Sequence, residues 1–258
     1  MRTLWTVVAV FGLALLAEAE VKTRAVEYRD GDVVLEGWLA WDDAATGPRP
    51  GVLVVHEWWG HNDYARKRAE QVAAEGYVAF ALDMYGKGVL ATTAEEAGKL
   101  AMPLYKDRAG MRRRAKAGLD VLAKAPGVDA TRLASIGYCF GGSVSLELAR
   151  DGADLKGVVS FHGGLKAGGP TARGAVKARV LVLHGAADPH VSAEELAAFE
   201  AEMNAAGADW SLVKYSGAVH AFTNPAAGSD PSKGVAYDER ADRRSWQAMR
   251  LWLEEAFE

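Results

Sequence analysis

The stretch Arg132-Leu133-Ala134-Ser135-Ile136-Gly137-Tyr138-Cys139-Phe140-Gly141-Gly142, running on through Ser143 to Arg150, decides the fold. An apolar strand over Arg132 to Tyr138 meets a helical stretch from Ser143 to Arg150, and Gly-x-Cys-x-Gly lies between them. Strand, Gly-x-nucleophile-x-Gly, helix is the layout of a nucleophile elbow. The turn is so tight that its central residue takes strained backbone angles. The flanking glycines are needed because side chains there would strike the strand or the helix. Serine is the usual occupant of the central position; here it is a thiol. Most free cysteines are small buried apolar residues. Cys139 is also the sole cysteine of the 258 residues, so it cannot form an intramolecular disulfide.

Outward from the elbow, apolar runs alternate with amphipathic stretches. Strands are expected at Gly51 to His56, Tyr77 to Leu82, Gly157 to Phe161, Arg179 to Leu183 and Trp210 to Tyr215. Helices are expected at Tyr64 to Glu75, Thr93 to Leu104, Asp107 to Lys124, Ala193 to Ala206 and Arg240 to Phe257. Such alternation implies a mainly parallel sheet covered by helices on both faces, an α/β fold. Near the start, Val26-Glu27-Tyr28 and Val33 to Leu39 flank Arg29-Asp30-Gly31-Asp32. Asp-Gly between such runs signals an antiparallel hairpin. With no internal repeat and no linker, residues 20–258 read as one domain.

Residues 1–19 read as an export signal. Arg2 supplies the positive start, Leu4 to Leu16 the apolar core and Ala17-Glu18-Ala19 the small-residue cleavage site. The core is shorter than the roughly 20 residues of a membrane span. The alternative is an uncleaved anchor. The expected mature chain begins near Glu20 and is periplasmic or secreted, a monomer without a membrane association of its own. Half the residues are hydrophobic and the net charge is −4, with both signs mixed along the chain. No basic patch interleaves with aromatics, which argues against nucleic acid as a partner. Arg112-Arg113-Arg114 reads as a solvated helix face.

In parallel sheets the chemistry sits beyond the carboxyl ends of the strands. The loops there carry His56-Glu57-Trp58-Trp59-Gly60, Asp83-Met84-Tyr85-Gly86-Lys87, Cys139, His184-Gly185-Ala186-Ala187-Asp188 and Gly217-Ala218-Val219-His220-Ala221-Phe222. Nucleophile, acid, then histidine is the chain order of the α/β-hydrolase triad. In that arrangement the Cys139 thiolate attacks an acyl carbonyl. His220 shuttles the proton, since a free thiol with a pKa near ~8.5 is mostly protonated at neutral pH. Asp188 holds the imidazole and stabilises its cation. Taken singly, Asp188 could be a turn residue and His220 a surface histidine. The residue after an elbow nucleophile donates its backbone N–H to the oxyanion, which assigns Phe140; Trp58 suits the second donor, from an earlier strand loop. His184, His190 and His220 lack second ligands at metal-like spacing, and neither metal nor cofactor is expected.

On these residues the chain resembles the dienelactone hydrolase family of α/β-hydrolases, from about Val26 onward. The likeness rests on His56-Glu57-Trp58-Trp59-Gly60, Ala74-Glu75-Gly76-Tyr77-Val78-Ala79, Asp83-Met84-Tyr85, Gly137-Tyr138-Cys139-Phe140-Gly141-Gly142, His184-Gly185 with Asp188, and His220-Ala221-Phe222. It implies hydrolysis of small esters or lactones through an acyl-thioenzyme. It also implies that Glu57 contacts the thiol and is redirected when substrate binds; otherwise Glu57 is a buried carboxylate paired elsewhere. Lys87 and Asn224 stand where the family's dienelactone-cleaving members carry arginines for the substrate carboxylate. Lysine keeps the charge without the bidentate fork, and asparagine loses the charge. Trp59, Tyr85, Phe161 and Phe222 are expected, with Lys87 and Asn224, to line a pocket suited to an apolar or aromatic ester. A thioesterase or acyltransferase with the same triad, or a non-catalytic ligand-binding protein on this fold, is the alternative.

Overall fold

The computed structural model describes residues 20–258. The expected signal, residues 1–19, lies outside the described residues. Ten-residue strands β1 (Val21–Asp30) and β2 (Val33–Asp42) form the hairpin, turning through Gly31 at φ 59°. Strand β3 (Arg49–Val55), helix α1 (Asp63–Ala74) and strand β4 (Val78–Leu82) follow. Helices α2 (Ala94–Lys106) and α3 (Arg108–Ala123) precede β5 (Val128–Tyr138) and the elbow helix α4 (Phe140–Arg150). The chain closes with β6 (Gly157–Phe161), β7 (Arg179–Gly185), α5 (Ala193–Ala206), β8 (Trp210–Tyr215) and α6 (Glu239–Phe257). The elbow helix thus starts three residues earlier than propensity suggests, because Gly141 and Gly142 are tolerated there by close packing rather than by helix preference.

The eight strands lie in the order β1-β2-β4-β3-β5-β6-β7-β8. The β1–β2 and β2–β4 pairs are antiparallel; β4–β3, β3–β5, β5–β6, β6–β7 and β7–β8 are parallel. Side chains alternate between faces with period two. Leu53 and Val55 of β3 join one core with α3, α4 and α5, while Val52 and Val54 join the other with α1 and α6. The same split divides Val180 and Val182 from Leu181 and Leu183 in β7. Both cores are continuous, which explains the unbroken apolar runs of the central strands.

Helix starts follow the capping rules. Asn62, Thr93, Asp107, Ser192 and Asp238 each accept a first-turn backbone N–H, and Thr93 with Glu96 closes a capping box. Helix α4 differs. Its cap position is Cys139, which makes no side-chain cap. The elbow helix is held by packing and ion pairs instead. Glu147, fully buried, receives Arg112 at 2.7 Å and Arg150 at 3.2 Å, and Arg150 also reaches Glu202 at 2.8 Å. The arginine run is therefore not a solvated face throughout. Arg113 and Arg114 both pair with buried Asp30 at the end of β1, fastening the hairpin to α3.

Candidate active site

Backbone strain marks the place where the strand-end loops converge. Among the described residues three that are not glycine have positive φ: Cys139 (53°), His162 (41°) and Ala221 (57°). Cys139 carries its strain because β5 must turn into α4 without a connecting loop. A Cβ on Gly137 would strike the backbone of Gly141, and one on Gly141 would strike Val55 O and lie 2.7 Å from His56 O. The half-buried thiol is thereby pushed out beyond the sheet.

His220, from the loop after β8, meets that thiol. Its Nε2 lies 3.1 Å from Cys139 Sγ, and its Nδ1 lies 2.8 Å from Asp188 Oδ2, in the loop after β7. The other Asp188 oxygen accepts the His190 N–H at 2.8 Å. An ionised Asp188 accepts from Nδ1–H, leaving Nε2 to exchange a proton with sulfur. Burial alone would lower the basicity of His220, but the Cys139 and Asp188 charges carry it well above the usual histidine value. For Asp188, burial pulls upward and the bonds from His220 and His190 outweigh it, so its pKa lies below the ordinary range. The three residues sit on three separate loops, and the structure brings them together.

Glu57 is buried beside them. Its Oε2 accepts Asn224 Nδ2 at 2.7 Å, while its Oε1 has no hydrogen-bond partner. Here the carboxylate is engaged by Asn224, and the thiol by His220. Burial raises the Glu57 pKa above 4.5, opposed by the Asn224 bond and by His220 and Arg68. The folded state thus resists ionising Glu57 more than the unfolded chain does. Above pH 4.5 the unfolded chain gives up the proton first, so stability declines as pH rises through the folded value. Glu57→Gln keeps the shape and removes this decline. Its melting temperature should gain on the parent as pH is raised from 4.5, in thermal unfolding followed across pH.

A cavity of about 830 Å³ opens over the thiol. Trp58, Trp59, Tyr64, Tyr105, His190 and Asn224 are among its walls. Glu57 and Asp63 are the carboxylates of the lining, and among the described residues no lysine or arginine takes part. Trp59 and Asn224 are thus among the residues that line this cavity. Lys87 does not. It is half-exposed and bridges Glu27 (3.0 Å) and Glu36 (2.9 Å) on the hairpin. Phe161 and Phe222 also depart from expectation: both are wholly buried, Phe161 stacked on Tyr138 and Phe222 against His162 and Tyr215. Each ends up inside the core, where burying an aromatic ring is worth more than lining a wet pocket. Tyr85 lies behind the wall, its hydroxyl donating to Trp58 O at 3.1 Å. It braces the loop that carries one expected oxyanion donor. Phe140, the other, opens α4 directly after Cys139. Among the described residues no group of three or more His, Cys, Asp or Glu side chains could hold a metal ion.

Sequence reasoning missed His162 and Thr223. The strand-end rule, applied to β6, leads directly to His162. Thr223 had no signal of its own beyond following His220.

Comparison with known proteins gives the family. The dienelactone hydrolase family model matches residues 35–257. The solved structure named m3DLH is 44% identical, with 92% of this chain and 99% of that chain covered and a TM-score of 0.89. A dienelactone hydrolase-like promiscuous phosphotriesterase from metagenomic libraries is 43% identical, with 93% and 100% covered and a TM-score of 0.88. A Yersinia pestis protein provisionally named carboxymethylenebutenolidase is 29% identical over 232 residues, 85% of this chain and 83% of its own length. The eight-stranded sheet is the α/β-hydrolase fold, and the chain is a hydrolase belonging to the dienelactone hydrolase family.

Proposed function

We propose that this hydrolase cleaves small uncharged carboxylic esters or lactones through an acyl-thioenzyme. The observation that carries the reading is the Asp188–His220–Cys139 chain of contacts, 2.8 Å and 3.1 Å long, at the floor of an apolar cavity. His220 Nε2 takes the thiol proton as Sγ bonds to the acyl carbon, and the carbonyl π pair moves to oxygen. The backbone N–H groups of Trp58 and Phe140 receive that oxyanion. Its collapse breaks the ester C–O bond, and the leaving oxygen takes the proton from His220. Water, deprotonated by His220, then attacks the thioester; the acid leaves and the thiol regains its proton. Single-turnover acylation and release of an activated ester test the scheme, with water and an alcohol as competing acceptors. Acyl transfer to the alcohol in preference to water would replace the hydrolytic reading.

The uncharged specificity follows from the walls. Apart from His220 at the reacting centre, the lining offers a carboxylate on the substrate no cation, and Asp63 presents like charge. Of two size-matched 4-nitrophenyl esters, one ending in a carboxylate and one in an amide, the amide should be favoured at least about tenfold in kcat/KM, or ~1.4 kcal/mol. Equal rates would refute it. A neutral phosphotriester shares this lack of charge, and a 43% identical neighbour is named for that activity. Slow release of 4-nitrophenol from a 4-nitrophenyl phosphotriester is expected, lost in Cys139→Ala.

Glu57 is proposed to tune acylation. In Glu57→Gln, acylation should require higher pH, measured by single-turnover rates between about pH 5 and 9. An unshifted profile would leave it a bracing residue only. We further propose that the chain is exported with cleavage before Glu20, supported by the composition of residues 1–19. Mass spectrometry of exported protein reads the new terminus, and a mature chain retaining Met1 would refute it.

A further inference from the structure

His162 is a buried histidine that the scheme above does not use. It is 0% exposed and directly follows β6, with φ at 41°. Its own N–H donates to Leu183 O at 2.8 Å, which anchors this unusual backbone between β6 and β7. Its Nδ1 accepts the backbone N–H of Cys139 at 3.2 Å, a donor shared with Phe161 O at 3.0 Å. Its Nε2 lies 2.7 Å from Thr223 Oγ1. Because Nδ1 accepts, the proton of a neutral ring is on Nε2 and is donated to Thr223. Burial, together with the neighbouring His220 and Arg68 charges, holds the ring uncharged by pushing its pKa well below the usual value.

The two bonds tie different parts of the site. Cys139 N–H belongs to the elbow. Thr223 belongs to the loop that carries His220, three residues upstream. Thr223 is in turn fixed from α1, by the Tyr64 hydroxyl at 2.7 Å from its Oγ1 and by Arg68 Nη2 donating to its carbonyl at 2.6 Å. The His162 ring also packs edge-on against the His220 ring, with centroids 5.2 Å apart. The three strained residues therefore meet around one imidazole: Cys139 bonded to it, His162 itself, and Ala221 between His220 and Thr223. Strained backbone persists only where surrounding bonds over-determine it.

We propose that His162 is a positioning residue that clamps the nucleophile turn to the His220 loop, and so fixes the 3.1 Å Sγ···Nε2 separation needed for proton transfer. The proposal rests on the Cys139–His220 reading of the site. Geometry of this kind is costly to lose, since a misplacement of about 1 Å can reduce rates on the order of a hundredfold.

The test compares three variants. His162→Phe keeps a ring and loses both bonds. His162→Asn keeps an acceptor at the Nδ1 position and suits positive φ better than most residues. Thr223→Val keeps the shape and removes the hydroxyl. Two rates are measured for each: alkylation of Cys139 by iodoacetamide across pH, and kcat/KM on a 4-nitrophenyl ester, alongside thermal unfolding. In His162→Phe both rates should fall roughly ten- to a hundredfold, with the alkylation profile moved to higher pH. His162→Asn should recover most of the loss, and Thr223→Val should lie between. A folded His162→Phe with the parent's alkylation profile and kcat/KM would overturn the proposal, as would an asparagine variant no better than phenylalanine. Should His162→Phe not fold, Thr223→Val decides, and an unchanged alkylation profile there overturns it. Alkylation needs no ester. A protein inactive on esters whose alkylation still responds to these variants would lose the proposed function and keep the clamp.

Discussion

Cys139→Ala is expected to abolish hydrolysis of an activated ester, lowering kcat by roughly 10⁵-fold or more, as loss of a triad nucleophile does elsewhere. The fold should survive. The thiol is half-buried, caps no helix, packs at the margin of the core and has its side-chain hydrogen bond to His220. Melting temperature should therefore change little while turnover falls to background. Cys139→Ser should be weak rather than equivalent, because an alkoxide needs a stronger base than a thiolate. Full activity in the alanine variant would move the chemistry elsewhere. Ser143 is the next hydroxyl to test, but it is committed: it donates to Gly164 O at 2.8 Å and accepts from Tyr105 at 3.2 Å. Burst kinetics with 4-nitrophenyl acetate, run on both variants and the parent, read the outcome directly.

Gly141→Ala should be among the most damaging single methyl additions within the described residues. The added carbon would lie 2.6 Å from the Val55 carbonyl carbon and 2.7 Å from His56 O, and closer still to Val55 O. These are backbone atoms of β3, at the centre of the sheet, and they cannot rotate aside. Overpacking a core usually costs about 1–3 kcal/mol, and a clash with backbone exceeds that. A loss of at least ~4 kcal/mol is expected, which lowers the melting temperature by roughly 10 °C or prevents folding. Gly98→Ala in α2 is the contrasting control. Nothing lies within 4 Å of a Cβ there, so the helix should gain about 0.5–1 kcal/mol from the reduced entropy of the unfolded chain. Thermal unfolding of the two variants side by side checks both signs. A Gly141→Ala protein as stable as the parent would mean that the turn is looser than described.

What the sequence reveals, and what it hides, follows from the range of the interactions. The elbow is legible because its requirement is local: five consecutive residues must make one turn, and only glycine fits two places to either side of Cys139. The grouping of Cys139, Asp188 and His220 is legible because parallel topology delivers strand-end loops to one edge, so order along the chain is enough. Lys87 shows where that reasoning stops. The family resemblance suggests an anion-binding role for it, but the hairpin register sets Glu27 directly opposite Glu36. Like charges so paired repel. Lys87 lies between them, pairs with both and offsets their repulsion, a contact that depends on a strand pairing 60 residues away. Phe161 and Phe222 fail for a related reason. Aromatic character is visible in a sequence, but which side of a strand end a ring faces is decided by its tertiary neighbours. His162 was within reach of the strand-end rule; its two bonds, to residues 23 and 61 positions distant, were not.

The solitude of Cys139 bears on how this enzyme fails. A peroxide that entered the cavity would meet a thiol already hydrogen-bonded to a basic imidazole, and oxidation there would give a sulfenic acid. Enzymes that survive this step commonly trap the product with a second cysteine as a disulfide. This chain has none. Rescue must come from a small external thiol reaching the sulfur through the same cavity that admits substrate. Any ester occupying the site therefore protects the sulfur from the oxidant, yet would equally block its repair. Without such a thiol, further oxidation to the sulfinic acid is a permanent loss of that molecule.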